Sequence, residues 1–439
     1  MIPKNRLSFR CLAVTAFVLY AISTLGLFPV NAASPATDDL VIAITSGQLR
    51  GAPRSTGGGE FLGIPYAQPP VGDLRWREPA PAKSWNGVRD ASTFGAPCAQ
   101  PDLGGWNRHD AETGVEDCLF LNVITPVWPP KAPLPVMVWL HGGANAGGTA
   151  SSTLYKDGTL VGHGVVLVTV NYRLGIFGFF AHPELTRESS HHASGNYGLM
   201  DQIAALHWVR DNIAKFGGDP ANITLFGQSA GAGDASLLMT SPLAKDLFQR
   251  VIGESGSAVS PPLPSLAEAE QAGQRQARAL KAPAAEGTPQ YLRQLSQADL
   301  IKGLVSPDPT QPPPLGPILD GWVMARFPQE VFAAEQESSI PLMIGTTTRE
   351  FGLPVPSAEV RRIILNRAGN FADRTLALYG LAGDGQGAAD PMYGSAGDQW
   401  LADVAFRCPV TTQAAWHAAA HHPTYEYEFE RVIPGHEAE

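Results

Sequence analysis

Residues 223–239 demand a strand, a sharp turn and a helix with almost no chain to spare between them. Ile223-Thr224-Leu225-Phe226 is a short β-branched and apolar run, and Ala230 to Met239 is small and apolar enough for a buried helix. Gly227-Gln228-Ser229-Ala230-Gly231 joins the two. Glycines at 227 and 231 carry no Cβ, so strand and helix can close tightly around Ser229. In this setting the G-x-S-x-G pattern is a nucleophile elbow, a strained turn that lifts one serine hydroxyl into a cleft. The five residues alone are a weak signal. The strand before them and the helix after them make it a strong one.

The same alternation runs through the chain. Short strands are expected over Asp39–Gly51 and Gly59–Pro65, then Leu121–Ile124, Val136–Leu140 and Val165–Val170. Further strands fall at Ile223–Phe226, Arg250–Ile252, Pro341–Ile344 and Tyr425–Val432. Tyr197 to Phe216 has helical spacing, with Leu199, Ile203, Leu206, Ile213 and Phe216 on its apolar face. Continuously apolar strands alternating with helices predict an α/β fold, a mostly parallel central sheet with helices on both faces. Two stretches interrupt the rhythm, Ser260–Gly316 and Ser357–Ala402, and read as lid-like insertions over the site. There is no internal repeat, and residues 34–439 read as one domain.

The first 33 residues stand apart. Lys4, Arg6 and Arg10 precede an apolar run from Cys11 to Val30, and Asn31-Ala32-Ala33 offers a cleavage site. This is the pattern of a secretory signal peptide, the other reading being an uncleaved N-terminal anchor. With cleavage the protein is secreted or periplasmic and keeps no stable membrane anchor. A net charge of −10, more acidic still without the leader, argues against nucleic acid or anionic lipid as partners. Export makes a disulfide plausible, and Cys98–Cys118 would close a short surface loop, leaving Cys408 odd.

A serine hydroxyl attacks only when a base takes its proton, and the base must be held by a third group. After an elbow the chain order is serine, acid, histidine. Glu350 is the acid candidate, just beyond the apolar run Pro341–Ile344. His436 in Pro434-Gly435-His436-Glu437 is the histidine that satisfies the order and follows the last strand. The oxyanion hole is read from Trp139-Leu140-His141-Gly142-Gly143-Ala144-Asn145, a glycine-rich loop after a buried strand. Its donors would be the amides of Gly143, Ala144 and Ala230, with His141 bracing the loop. This chemistry needs no metal or organic cofactor. No Cys/His cluster has zinc spacing, and no phosphate loop appears.

With these segments in place the chain resembles the type B carboxylesterase (carboxylesterase/cholinesterase) family of α/β-hydrolases, from about Val41 to Glu439. The most specific pieces are Phe216 to Gly231 and Glu116-Asp117-Cys118-Leu119-Phe120-Leu121-Asn122-Val123. Gly63-Ile64-Pro65-Tyr66-Ala67, Asn171-Tyr172-Arg173-Leu174-Gly175, Asn196 to Gln202 and Pro317-Ile318-Leu319-Asp320-Gly321 support them. The resemblance implies Ser229 as nucleophile, Glu350 as acid, a Cys98–Cys118 disulfide, and Ser255 in a supporting role near the triad. Alanine stands at 144 where the family more often has a third glycine. The family's base lies in a Gly-x-x-His-x-x-Glu-Leu-like segment, which in many members follows a strand and loop like Tyr425 to Glu437. Read so, His436 belongs to the loop before the base, and the base lies beyond Glu439.

The expected activity is hydrolysis of small carboxylic esters through an acyl-enzyme. The contrasting reading is a catalytically inactive, cholinesterase-like binding protein, although such proteins tend to lose the serine kept here. Amide, lactone or carbamate hydrolysis by the same groups is a third. Trp106, Trp322 and Phe351 are candidates to line an apolar gorge, with a core role as the alternative for each. Neither the particular ester nor the oligomeric state is written in these motifs.

Overall fold

The computed structural model describes residues 40–152, 155, 159–260, 262–283, 286–303, 316–350, 355–387 and 389–431. The leader, Phe351 and His436 lie outside these residues. The chain divides into Met1–Ala36 and Thr37–Glu439, and every described residue belongs to the second unit.

Among the described residues twelve strands form two sheets. They are β1 (Val41–Ile44), β2 (Gly47–Arg50), β3 (Ala52–Pro53), β4 (Gly59–Pro65), β5 (Val88–Asp90) and β6 (Phe120–Thr125). Then come β7 (Leu134–Leu140), β8 (Val166–Val170), β9 (Gly218–Gln228), β10 (Arg250–Glu254), β11 (Leu342–Thr347) and β12 (Thr424–Phe429). The main sheet has nine strands in the order β12-β11-β10-β9-β7-β8-β6-β4-β3, and β1-β2-β5 make a small separate sheet.

From β12 to β8 every neighbour in the main sheet is parallel. The β8–β6, β6–β4 and β4–β3 pairs are antiparallel. The sheet is therefore mixed, with its parallel block toward the C-terminal half of the chain. Burial alone could not have told the two kinds apart, because β6 is as continuously buried as the parallel β8. Connection length is the better guide: β3 and β4 are joined by a turn, and only antiparallel strands can be.

Alternate residues of the central strands enter two different cores, as a period of two requires. Val136, Val138 and Leu140 of β7 face the main core with Val168 of β8 and Leu225 of β9. Met137 and Trp139 face a second cluster with Leu167, Phe226 and Ile252. Both sheet faces are thus covered, and every strand from β12 to β8 ends at the same edge. The helix Tyr197–Asn212 continues as a 3-10 turn through Phe216, and Gly217 at φ 85° ends it. β9 then begins at Gly218, earlier than Ile223, because Gly218 pairs with Leu134 of β7.

Inside this packing lies one ion pair that the core cannot leave unmatched. Arg173 and Asp201 are 2% and 0% exposed, and the guanidinium meets the carboxylate at 2.7 Å through both Nε and Nη2. Burial works against the charge on Asp201, and Arg173 works for it. Removing one partner strands a buried charge. Asp201→Ala is expected to cost about 3–5 kcal/mol in urea unfolding. The Arg173→Met/Asp201→Leu double variant should recover most of that loss, and no recovery would show that the pair acts through something other than charge matching.

Candidate active site

β9 runs to Gln228 and the next helix, Ala230–Leu238, starts two residues later. Ser229 between them has φ 54° and ψ −121°, a region that a side chain rarely occupies. Its amide donates to the Glu254 carbonyl at 2.8 Å, and its carbonyl accepts the Gly233 amide at 2.9 Å. The turn is held shut by contacts that leave no room for a side chain. A Cβ on Gly231 would lie 2.1 Å from the Leu140 carbonyl oxygen, and one on Gly227 would lie 2.5 Å from the Gly231 carbonyl carbon.

The glycine-rich loop leaves β7 and turns back beside this serine. A Cβ on Gly142 would come within 3.1 Å of the Ser229 Cβ. The Gly143 carbonyl accepts the amides of Ala146 and Gly147 at 2.9 and 3.0 Å. Ala144 and Asn145 take left-handed φ values of 56° and 55°. Among the described residues nothing accepts from the amides of Gly143 or Ala144. Ala230 opens its helix, so its amide has no partner within that helix. Trp106, 61% exposed, has its ring edge against the loop at Gly143.

Four side chains to which sequence reasoning gave no role, Gln100, Asn145, Gln202 and Asp234, fix the loop. Gln100 accepts the Gly148 amide at 2.8 Å and donates to the Gly148 carbonyl at 2.9 Å. Gln100 sits two residues from Cys98, which is bonded to Cys118. Asn145 donates to Asp234 at 3.0 Å, and Gln202 donates to the other carboxylate oxygen at 2.6 Å. A lone aspartate in a helix of small apolar residues was the signal for Asp234. His141 is buried, stacks on Tyr172 at 4.5 Å and sets Nδ1 2.9 Å from the Gly142 carbonyl. Burial lowers its pKa to about 4. It braces the loop.

Glu350 sits three residues past β11 and is held through one oxygen, Oε1. That atom accepts the Ser255 hydroxyl at 2.7 Å and the Thr347 amide at 2.9 Å. Ser255 follows Glu254, whose carbonyl holds the Ser229 amide. Ser229, Ser255 and Glu350 thus leave the same end of β9, β10 and β11. Two strand spacings separate the first from the last, roughly 10 Å, enough for one imidazole between them. Among the other expectations, Cys98–Cys118 is present, with S–S 2.06 Å, and the Cys408 thiol is exposed and free. Trp322 stacks on His191 at 3.8 Å and packs against the main core.

A mixed sheet carrying a serine elbow at the C-terminal end of a central parallel strand defines an α/β-hydrolase. A model of the carboxylesterase family matches residues 38–436, and the chain belongs to that family. It is 41% identical over 324 residues to the fumonisin B1 esterase of Sphingopyxis macrogoltabida, a match covering 71% of this chain and 58% of that protein. It is 37% identical over 412 residues to carboxylesterase 1E of Mus musculus, covering 84% of this chain and 71% of that one. The crystal structure of the Geobacillus stearothermophilus carboxylesterase EST55 superposes with a TM-score of 0.77 at 33% identity, covering 90% of this chain and 80% of that one.

Asp234 supplies a pH test of the loop anchor. Burial raises its pKa to about 6, against the hydrogen bonds from Gln202 and Asn145, which lower it. The folded state therefore holds the proton more tightly than the unfolded chain does. Stability is highest below the ordinary aspartate range and falls as pH rises from about 4 to about 6, by on the order of 3 kcal/mol. Asp234→Asn should remove that slope when urea unfolding is followed from pH 4 to pH 7. An unchanged slope would assign it to another group.

Proposed function

We propose that the protein is a serine esterase acting on small carboxylic esters. Ser229 is its nucleophile and Glu350 its acid. The observation that carries this reading is the line of contacts from the Ser229 amide through Glu254 and Ser255 to the Glu350 carboxylate. Acid and nucleophile are tied to the ends of β11 and β9, on either side of β10, with a gap that suits one imidazole. The base comes from the chain following β12, which pairs with β11 beside Glu350. His436 is the candidate within this sequence, and a histidine beyond Glu439 is the other.

In the reaction, the histidine takes the Ser229 Oγ proton as Oγ bonds to the acyl carbon. The carbonyl oxygen becomes an oxyanion beside the amides of Gly143, Ala144 and Ala230. Collapse breaks the bond to the alcohol oxygen, which leaves with the proton from the histidine. Water, deprotonated by the same histidine, then attacks the acyl-serine and frees the acid. Glu350 keeps the imidazole in the orientation that allows both transfers. The basic and apolar start of the chain supports a signal peptide over residues 1–33 and a secreted or periplasmic mature protein beginning near residue 34.

Hydrolysis of a short-chain aryl ester by the 34–439 chain tests the assignment. Ser229→Ala is expected to lower kcat/KM by roughly 1,000-fold or more, and Glu350→Gln by about 100-fold or more. His436→Ala should match Ser229→Ala if His436 is the base and leave turnover unaffected if it is not. A folded protein with no serine-dependent turnover would overturn the esterase reading in favour of a binding protein.

A further inference from the structure

We propose that Glu337, His417 and His422 form a structural site for one divalent metal ion of the zinc class, apart from the serine centre. His417 lies in the last turn of the helix Cys408–Ala419, and His422 lies two residues before β12. Glu337 comes from the segment between the helix Pro328–Ala333 and β11. The two Nδ1 atoms are 3.3 Å apart, and Glu337 Oε1 is 2.8 Å from that of His417 and 3.3 Å from that of His422. Ligands about 2.0–2.1 Å from a tetrahedral zinc ion stand roughly 3.3 Å from one another. Two imidazoles and a carboxylate are a donor set that zinc accepts.

The far side of His417 shows what its near side is for. Nε2 lies 2.8 Å from the Ile340 carbonyl, which can only accept, so Nε2 carries the hydrogen. Metal-bound histidines are anchored in this way, with the second ring nitrogen donating to a backbone carbonyl or carboxylate. Nδ1 is then turned toward the carboxylate and the other imidazole. Three such atoms within 3.3 Å of one another need positive charge between them, from added protons or from one metal ion. Glu337 Oε2 favours the ion. It is buried and has no hydrogen-bond partner, which protons bridging through Oε1 would leave unchanged. A carboxylate that binds through both oxygens uses it.

Access and placement agree with this role. The side chains of Glu337 and His417 are 0% exposed while that of His422 is 17% exposed, so among these three the cluster meets solvent at His422. The site lies where β11 and β12 begin, and the Leu342 amide donates to the Pro423 carbonyl there at 2.9 Å. Glu350 lies past the other end of β11, roughly 20 Å of strand away. The ion would pin the edge strand β12 and the preceding helix to the loop that enters β11, and would take no part in ester chemistry. The His417 and His422 spacing alone does not announce it, because the third ligand, Glu337, precedes His417 by 80 residues.

Calorimetric titration of the EDTA-stripped full-length protein with zinc chloride tests the site, with metal content and melting temperature measured beside it. One equivalent should bind with Kd below about 1 µM, and saturation should raise Tm by several degrees. His422→Ala, at the exposed side of the cluster, should weaken that binding by at least about 10–100-fold, and Glu337→Gln should do the same. A His191→Ala/His192→Ala variant, which changes exposed histidines elsewhere, should bind as the parent does. Failure of the folded parent protein to bind one equivalent at micromolar zinc would overturn the proposal, as would binding that survives both site substitutions. The cluster would then be held by protons alone.

Discussion

The approach of Gly231 to the Leu140 carbonyl governs how this molecule is assembled. A side-chain carbon there would sit 2.1 Å from that oxygen, so the helix after Ser229 can dock on the end of β7 only as backbone against backbone. That contact brings the turn at Ser229 and the loop leaving β7 together, because both begin where the two backbones touch. The strain at Ser229, φ 54°, is sustained because the sheet determines the positions on either side. β9 delivers the serine, β10 holds its amide through Glu254, and β7 delivers the glycine loop.

Much of this was legible in the chain because it rests on local rules. The elbow is readable from two glycines and the runs beside them. Most central strands are readable from apolar stretches of the right length, and their ends shift by a few residues where pairing extends them, as at Gly218. Glu350 could be placed after a strand, but its hold on Ser255 depends on β10 and β11 being neighbours, which strand order decides. The Cys98–Cys118 link followed both from export and from the family pattern.

What escaped the sequence was long-range and polar. Gln100 clasps Gly148 from 48 residues away, and Asn145 reaches Asp234 across 89. Single buried polar residues have no periodicity, so only the fold brings their partners into view. The sheet is mostly parallel, as expected; which strands run antiparallel was hidden for a related reason, since buried strands look alike whichever way they run.

The segment after the acid loop has a small core of its own, built from Val360, Ile364, Leu376, Leu381 and Ala396. It reaches that loop through Arg349 with Asp398 at 3.6 Å and through Arg407, which donates to the Thr348 carbonyl at 3.1 Å. Such a part can open by itself while the main sheet stays closed. Warming would then loosen the residues on either side of Glu350 before the strands separate, leaving Ser255 and the Thr347 amide as its hold. The surroundings of Glu350 would be only as durable as this outlying cluster, and the large core would survive its loss.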